Sequence, residues 1–335
     1  MKLCVIPGDG IGQEVIPCAV AVLQHVMPDL EIVEARAGWA CFQETGSALP
    51  EATVEAIHTC GAALFGAVSS PLHKVEGYRS PIVQLRQRFD LYANLRPTRI
   101  AWSLALRWMG RAQSVDLMLV RENTQGLYSG RERIVGDEAI AERVITRAAS
   151  ERIAHVAFSL ARERERKTVT IVHKANILPI TDGLFRDSVR TVGAQYPEVK
   201  INEMLVDTAA MMLASRPGQF DVIVTTNLFG DILSDVASVW GGGLGMAPSL
   251  NLGAQVAIAE PVHGSAPDIA GKGIANPCGA ILSAALLLRY HWHRPDLADR
   301  IERAVYAAIE SGVQTPDLGG SATTRAMLEA ILQRL

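Results

Sequence analysis

The segment Asn227-Leu-Phe-Gly-Asp231-Ile-Leu-Ser-Asp235 holds two carboxylates four residues apart, a spacing that puts them side by side on one helix face. A helix beginning near Gly230 favours an acid in its first turn, which accounts for Asp231 but poorly for Asp235 beside it. A hard divalent cation resolves the repulsion, and Asp207, after Met204-Leu205-Val206, offers a third oxygen. Mg2+ or Mn2+ takes such carboxylates together with substrate oxygens and water. Arg86, Arg96 and Arg121 suggest the matching ligand. Arg96 stands between an apolar stretch and Pro97, and Arg121 follows Leu117-Met-Leu-Val120. A guanidinium there is costly unless it meets an anion, and its fork matches a carboxylate bidentately. The three form a candidate clamp for a polycarboxylate. The competing reading of the arginine-rich stretch 85–97 is a solvated basic helix face followed by a strand.

A longer polar stretch, Glu260-Pro-Val-His263-Gly264-Ser265-Ala266-Pro267-Asp268-Ile-Ala-Gly-Lys-Gly-Ile-Ala-Asn276-Pro277, is too elaborate for a simple turn. Its amides can cradle a pyrophosphate, and Asp268 can accept from a ribose diol. Near the N-terminus, Pro7-Gly-Asp-Gly-Ile11-Gly12 is also glycine-rich, but its glycines at 8, 10 and 12 do not follow the GxGxxG dinucleotide fingerprint. It reads as a tight backbone turn near a ligand rather than as a Rossmann signal.

Such groups need a frame. Lys2–Ile6, Glu31–Ala35 and Ala62–Val68 read as strands, and Gln13–Val26 and Glu51–Cys60 as helices, the alternation of an α/β protein with much parallel sheet. Further strands are expected at Val115–Val120, Thr168–Val172 and Asp221–Thr225. Each ends beside a polar cluster, at the strand carboxyl ends where α/β folds bind ligands. Breaks are expected at Arg96-Pro97 and in the glycine run 241–245. The Trp-containing segment Thr98–Ser114 reads as a stretch packing on a domain or partner surface.

The 335 residues correspond to about two domains. A net charge of −3 gives no reason to expect nucleic acid or an anionic membrane. The longest apolar run, around Ala280–Leu288, is too short to span a bilayer, and Lys2–Ile6 lacks the layout of a signal peptide. Five scattered cysteines without CxxC spacing favour a reduced, cytoplasmic setting. His291 and His293 flank Trp292 without further ligands nearby, and read as surface decoration rather than a metal site.

Together these segments resemble the β-decarboxylating dehydrogenases of isocitrate, homoisocitrate, 3-isopropylmalate and tartrate. The likeness runs nearly end to end, and HGSAPDIAGKGIANP and NLFGDILSD are its most specific parts. It implies an α/β, isocitrate/isopropylmalate dehydrogenase-like two-domain fold, distinct from the Rossmann fold. The cofactor-binding domain would be discontinuous, 1–98 and 243–335, and 99–242 would form the substrate and dimerisation domain. It also implies NAD-dependent oxidation of a 2-hydroxy acid with loss of its β-carboxylate, aided by Mg2+ or Mn2+.

Position by position, the resemblance gives Arg86, Arg96 and Arg121 the malate carboxylates. Tyr128 becomes the proton donor to the enol after CO2 leaves, and Lys174 the lysine tied to proton removal from the hydroxyl. Asp207, Asp231 and Asp235 become metal ligands. Lys174 and Asp207 serve the neighbouring subunit's site, so a homodimer with shared active sites is implied. Residues His263 through Asp268 form the cofactor loop, Asn276 lies at the adenine, and Glu260 and Ile11 complete that set. Asp268 favours NAD over NADP by repelling a 2′-phosphate.

The substrate's γ-group is read just before Arg86, where this chain has Arg79, Ser80, Ile82 and Val83. Homoisocitrate enzymes of the bacterial type carry an arginine at the Val83 position. A basic residue and a serine favour a third carboxylate, hence homoisocitrate or isocitrate, with Arg79 as reader. The alternatives are 3-isopropylmalate or another specialised 3-substituted malate, tartrate and malate included. A non-catalytic regulatory subunit is a further alternative, although Tyr128, Lys174 and the three aspartates are all present.

Overall fold

A computed structural model describes residues 1–71, 73, 75–101, 104 and 114–335. Most of the Trp-containing segment 98–114 therefore lies outside the described residues. The chain divides into two compact units. One comprises Met1–Leu91, Ala101–Ala112 and Gly241–Leu335; the other comprises Tyr92–Ile100 and Gln113–Trp240.

In the first unit the alternation expected from sequence is realised as β1 (Lys2–Gly8), α1 (Gly12–Val26), β2 (Glu31–Glu34), α2 (Trp39–Thr45), α3 (Glu51–Cys60), β3 (Ala62–Ala67) and α4 (Pro81–Arg88). In the second come β4 (Ala93–Arg99), β5 (Asp116–Glu122), the hairpin β6 (Glu132–Val135) and β7 (Glu138–Ala141), α5 (Arg147–Glu163), β8 (Thr168–His173) and α6 (Thr181–Gly193). They are followed by β9 (Lys200–Leu205), α7 (Val206–Ser215), β10 (Val222–Thr225) and α8 (Asn227–Gly241). The chain returns to the first unit with β11 (Pro248–Leu252), β12 (Ala257–Pro261), α9 (Cys278–Tyr290), α10 (Pro295–Glu310) and α11 (Thr324–Leu332). Arg96 and Pro97 lie inside β4.

The strand order of the first unit is β2-β1-β3-β12-β11. Its pairs are parallel except for antiparallel β11–β12. Because β1, β3 and β12 run the same way, the turn after β1 and the loops after β3 and β12 emerge at one sheet edge. Cys4, Ile6, Ala63, Phe65 and Ile258 from these strands share a buried cluster with Leu85 of α4 and with Leu91. The apolar run around Ala280–Leu288 lies in α9, buried from Cys278 through Leu288 as an internal helix. No helix among the described residues is long and apolar enough to cross a membrane.

The second unit is ordered β4-β5-β10-β8-β9, with only β4–β5 antiparallel. Val222 through Thr225 pair with Met118 through Arg121 on one side and Val169 through Val172 on the other. The three strands thus end in register, and the polar clusters that follow them lie along one edge. Leu117, Leu119 and Ile223 pack beneath that edge with Leu213 of α7 and Leu233 and Ala237 of α8.

Candidate active site

Arg121 closes β5 with only 1% of its surface exposed. Its Nε and one terminal nitrogen donate to Asn227 Oδ1 at 3.0 and 2.7 Å, and the other terminal nitrogen donates to Asp231 Oδ1. The aliphatic stem lies against α8 at Gly230, where a Cβ would stand 2.7 Å from Arg121 Cγ. Glycine there admits the guanidinium to the helix face. Arg96, on β4, donates to Asn94 Oδ1 at 2.7 Å and Ser234 Oγ at 2.6 Å, and lies 3.4 Å from Asp231 and 3.8 Å from Asp235. Tyr128 places its ring 5.1 Å from the Arg121 guanidinium and its hydroxyl donates to Asp231 Oδ2 at 2.7 Å. Two arginines, a phenol and two carboxylates thus converge.

The helix carrying the aspartates begins at Asn227, three residues earlier than the sequence reading placed it, with Gly230 N–H already bonded to Thr226 carbonyl. Asp231 is therefore one turn inside α8, beyond the strongest pull of the dipole. Its partners are the arginines and the tyrosine, so a first-turn acid no longer accounts for it. Asp235 remains largely exposed. Partial burial pushes its carboxyl above the usual range; the Asp231 charge adds to this and Arg96 opposes it. Adjacent carboxylates that resist joint ionisation are a fitting donor set for a hard dication. Burial, then the hydrogen bond to Asp231, raises the Tyr128 phenol above its ordinary value, keeping it protonated at neutral pH.

Lys174 directly follows β8 and donates from Nζ to Asp207 Oδ1 at 2.6 Å, which lowers the Asp207 carboxyl below its usual range. Asp207 occupies the first turn of α7. Among the described residues no three metal-ligating side chains converge within one chain. Asp207 with Lys174 and Asp231 with Asp235 are thus two separate sets.

In the first unit, Gly10 is the glycine that matters. Its φ is +54°, and a Cβ there would lie 2.1 Å from Ser265 carbonyl oxygen. The close approach lets Ile11 N–H bond that carbonyl at 2.9 Å, tying the turn after β1 to the loop after β12. Ser69 Oγ donates to Ser265 Oγ at 2.8 Å, and Asp9 accepts from the amides of Trp39, Ala40 and Ser69. Glu14 accepts from the amides of Gly271 and Gly273, securing the far end. In the loop, Gly264, Pro267 and Asp268 are exposed, whereas His263 and Ser265 are buried and Ala266 has φ +40°. His263 Nδ1 meets Gly264 carbonyl at 3.0 Å, and Nε2 is buried without a partner. Burial lowers the His263 pKa, so the ring stays neutral and Nε2 is an acceptor. An unmatched acceptor in a loop that also exposes the Asp268 carboxylate fits a hydroxyl-bearing dinucleotide.

Other expected residues are placed differently from one another. Arg86 donates to Glu260 Oε1 at 2.9 Å, which Asn251 also reaches at 2.8 Å, and Arg86 Nε is buried without a partner. Glu260 is thus held within the protein by two donors. Asn276 is buried, accepting from Cys278 N–H and donating to Asp317 Oδ2, both at 3.0 Å. Arg79 is exposed, Ser80 precedes α4 without capping it, and Val83 is half-buried on the turn before Arg86. Ile82 packs toward the core cluster.

Sequence reasoning did not single out Asn227 as the orienter of Arg121, or Ser234 and Asn94 as those of Arg96. Nor did it find Asp9 and Glu14 as loop anchors. The signal for Asn227 lay in the motif already quoted; that for Asp9 was an acid inside a glycine turn.

Residues 2–331 match the family described as isocitrate/isopropylmalate dehydrogenase. The chain is 53% identical over 334 residues to the isocitrate/homoisocitrate dehydrogenase of Thermus thermophilus, covering 100% of this chain and 98% of the relative. It is 47% identical over 335 residues to the 3-isopropylmalate dehydrogenase of Methanothermobacter thermautotrophicus, covering 100% and 98%. The crystal structure of isocitrate dehydrogenase from Methylococcus capsulatus superposes with a TM-score of 0.92 at 43% identity, covering 99% of this chain and 98% of that one. With the match running from β1 into α11, the chain belongs to the isocitrate/isopropylmalate dehydrogenase family of decarboxylating hydroxy-acid dehydrogenases.

Proposed function

We propose that this protein oxidatively decarboxylates a 3-substituted malate with NAD+ and Mg2+ or Mn2+, its preferred substrate being homoisocitrate or isocitrate. The observation that carries the reading is the convergence of Arg96, Arg121 and Tyr128 on Asp231. When bound, NAD+ would supply the hydride acceptor and the divalent cation would supply Lewis acidity toward the substrate oxygens. Arg96 and Arg121 bind carboxylates, and Arg86 is assigned the same task. Their present partners, Asp231 and Glu260, stabilise the buried guanidiniums until an anion arrives. Tyr128, protonated and already a donor, returns a proton to the carbon that loses CO2. Lys174 takes part in removing the hydroxyl proton. Asp231, Asp235 and Asp207 are the proposed metal ligands. The loop His263–Asp268, with Ile11, Glu260 and Asn276, is the proposed cofactor site of the domain formed by 1–98 and 243–335, and 99–242 is the proposed substrate and dimerisation domain.

The separation of Lys174 and Asp207 from Asp231 supports a homodimer in which this pair serves the partner's site. Apolar side chains left exposed on the second unit support it further: Ile232 and Val239 on α8, Met211 on α7, and Ile134 and Val135 on the hairpin. A cytoplasmic setting suits the five unpaired cysteines.

One observation favours 3-isopropylmalate instead: Val83, an apolar residue, is one turn before Arg86 on α4. The test is NADH formation by purified protein with Mg2+ and homoisocitrate, isocitrate and 3-isopropylmalate in parallel. The proposal expects a tricarboxylate to give the highest kcat/KM, and Arg79→Ala to depress that value about 10- to 150-fold, the worth of one charge-assisted hydrogen bond. Isopropylmalate should hardly respond. Unchanged substrate ratios in the variant would give the γ-group to Val83 and Ile82. No turnover with any 3-substituted malate would return the regulatory-subunit reading.

A further inference from the structure

Asp182 is fully buried, yet it is neither an active-site ligand nor part of the family resemblance described above. It lies in the first turn of α6, eight residues after Lys174. One carboxylate oxygen accepts from Lys174 backbone N–H at 2.7 Å, and the other accepts from Arg143 at 2.6 Å. The Lys174 carbonyl in turn accepts from Ile177 and Leu178 N–H, and Leu178 carbonyl accepts from Asp182 N–H. The turn on which Lys174 stands is therefore closed at both ends.

Arg143 extends this support. The same nitrogen that meets Asp182 donates to Thr226 Oγ1 at 3.0 Å, and the guanidinium lies 4.6 Å from the centre of the Phe229 ring. Thr226 directly precedes Asn227, which orients Arg121. A buried ion pair is a poor device for stability alone, because apolar replacements of similar volume are often as stable. Its distinctive property is direction: two oxygens aimed at two donors that stand on different elements.

We propose that Asp182, held by Arg143, is the positioning residue for Lys174, fixing where its side chain leaves the backbone. The proposal rests on the reading of Lys174 as the proton-relay lysine. Asp182→Leu removes the acceptor and leaves Arg143 without its buried counter-ion. The double variant Asp182→Leu/Arg143→Met removes both charges, so it regains thermal stability without restoring the acceptor for Lys174 N–H. Lys174→Met is the control.

With the best substrate at 25 °C, Asp182→Leu should lower kcat about 10- to 100-fold, the effect of misplacing a reacting group by roughly 1 Å. KM for the hydroxy acid and for NAD+ should stay within about threefold. Tm should fall on the order of 5–10 °C in the single variant and recover in the double one, with kcat still low. Amide exchange at Lys174 should quicken at least about tenfold in both, whatever the substrate, because its hydrogen bond is lost. Recovery of kcat together with Tm in the double variant would make the pair merely structural and overturn the proposal. Unchanged exchange at Lys174 would overturn it as well. So would full kcat in Asp182→Leu beside an inactive Lys174→Met. An active Lys174→Met would instead refute the role of the lysine itself, and the positioning proposal with it.

Discussion

The two units build their polar edges by opposite means. At the edge of the second, side chains satisfy the charged groups: Arg121 is held by Asn227 and Asp231, Arg96 by Asn94 and Ser234, and Lys174 by Asp207. At the edge of the first, the frame is largely main chain, with Ile11 N–H on Ser265 carbonyl and carboxylates of Asp9 and Glu14 collecting loop amides. On the proposed function, one edge stores charge in pairs that an anionic substrate and a cation exchange. The other offers amides, a neutral histidine and an exposed Asp268 to a ligand recognised mainly by shape and hydroxyls. Damage to the first kind should be large and electrostatic, and damage to the second smaller and selective.

Arg121→Met tests the larger effect. It removes a buried fork, strands Asn227 Oδ1 and takes one guanidinium from Asp231, so kcat/KM should fall on the order of 10³-fold, comparable to losing a preorganised donor in an active site. Affinity for NAD+ should be preserved. If steady-state assays find a loss below tenfold, the guanidinium is structural and the contrast between the edges fails.

Asp235→Asn comes next. Its carboxyl is already held above its usual range by partial burial and by Asp231, so neutralising it costs the fold little. Calorimetric titration should find Mn2+ bound about 10- to 100-fold more weakly, with NAD+ binding the same within twofold. Unaltered Mn2+ affinity would take Asp235 out of the metal site.

The smallest effect belongs to Asp268. Discrimination for NAD+ over NADP+ of at least about tenfold needs only about 1.4 kcal/mol. The ratio of the two kcat/KM values should fall toward one in Asp268→Asn, while Mn2+ binding is untouched. Equal efficiency with both cofactors in the unaltered protein would show that the carboxylate does not face the ribose.

Much of this arrangement is legible in the sequence. Short continuous apolar runs beside polar clusters mark β1, β3, β5, β8 and β10, and their ends mark where Arg121, Lys174 and Asn227 must emerge. The start of α8 is less legible, because Asn227-Leu-Phe-Gly carries no clear boundary: its first turn is closed by Thr226 carbonyl, a main-chain group no side-chain pattern advertises. Glu260 illustrates a second limit. Nothing in its polar, glycine-spaced stretch tells that β12 brings it to Arg86, 174 residues away in the chain.

The family, the parallel α/β pattern and the identity of the charged groups at the strand ends can all be read along the chain. These depend on local periodicity and on residues clustered within motifs. Which charges neutralise which emerges on folding. Arg143 after a hairpin and Asp182 in a helix first turn each look like ordinary surface residues, and folding buries them as a pair 39 residues apart. Spacing along the chain predicts contacts only within a helix turn or across a defined strand register. A hydrogen bond between distant segments depends on the packing of every element between them, and burial then sets its strength.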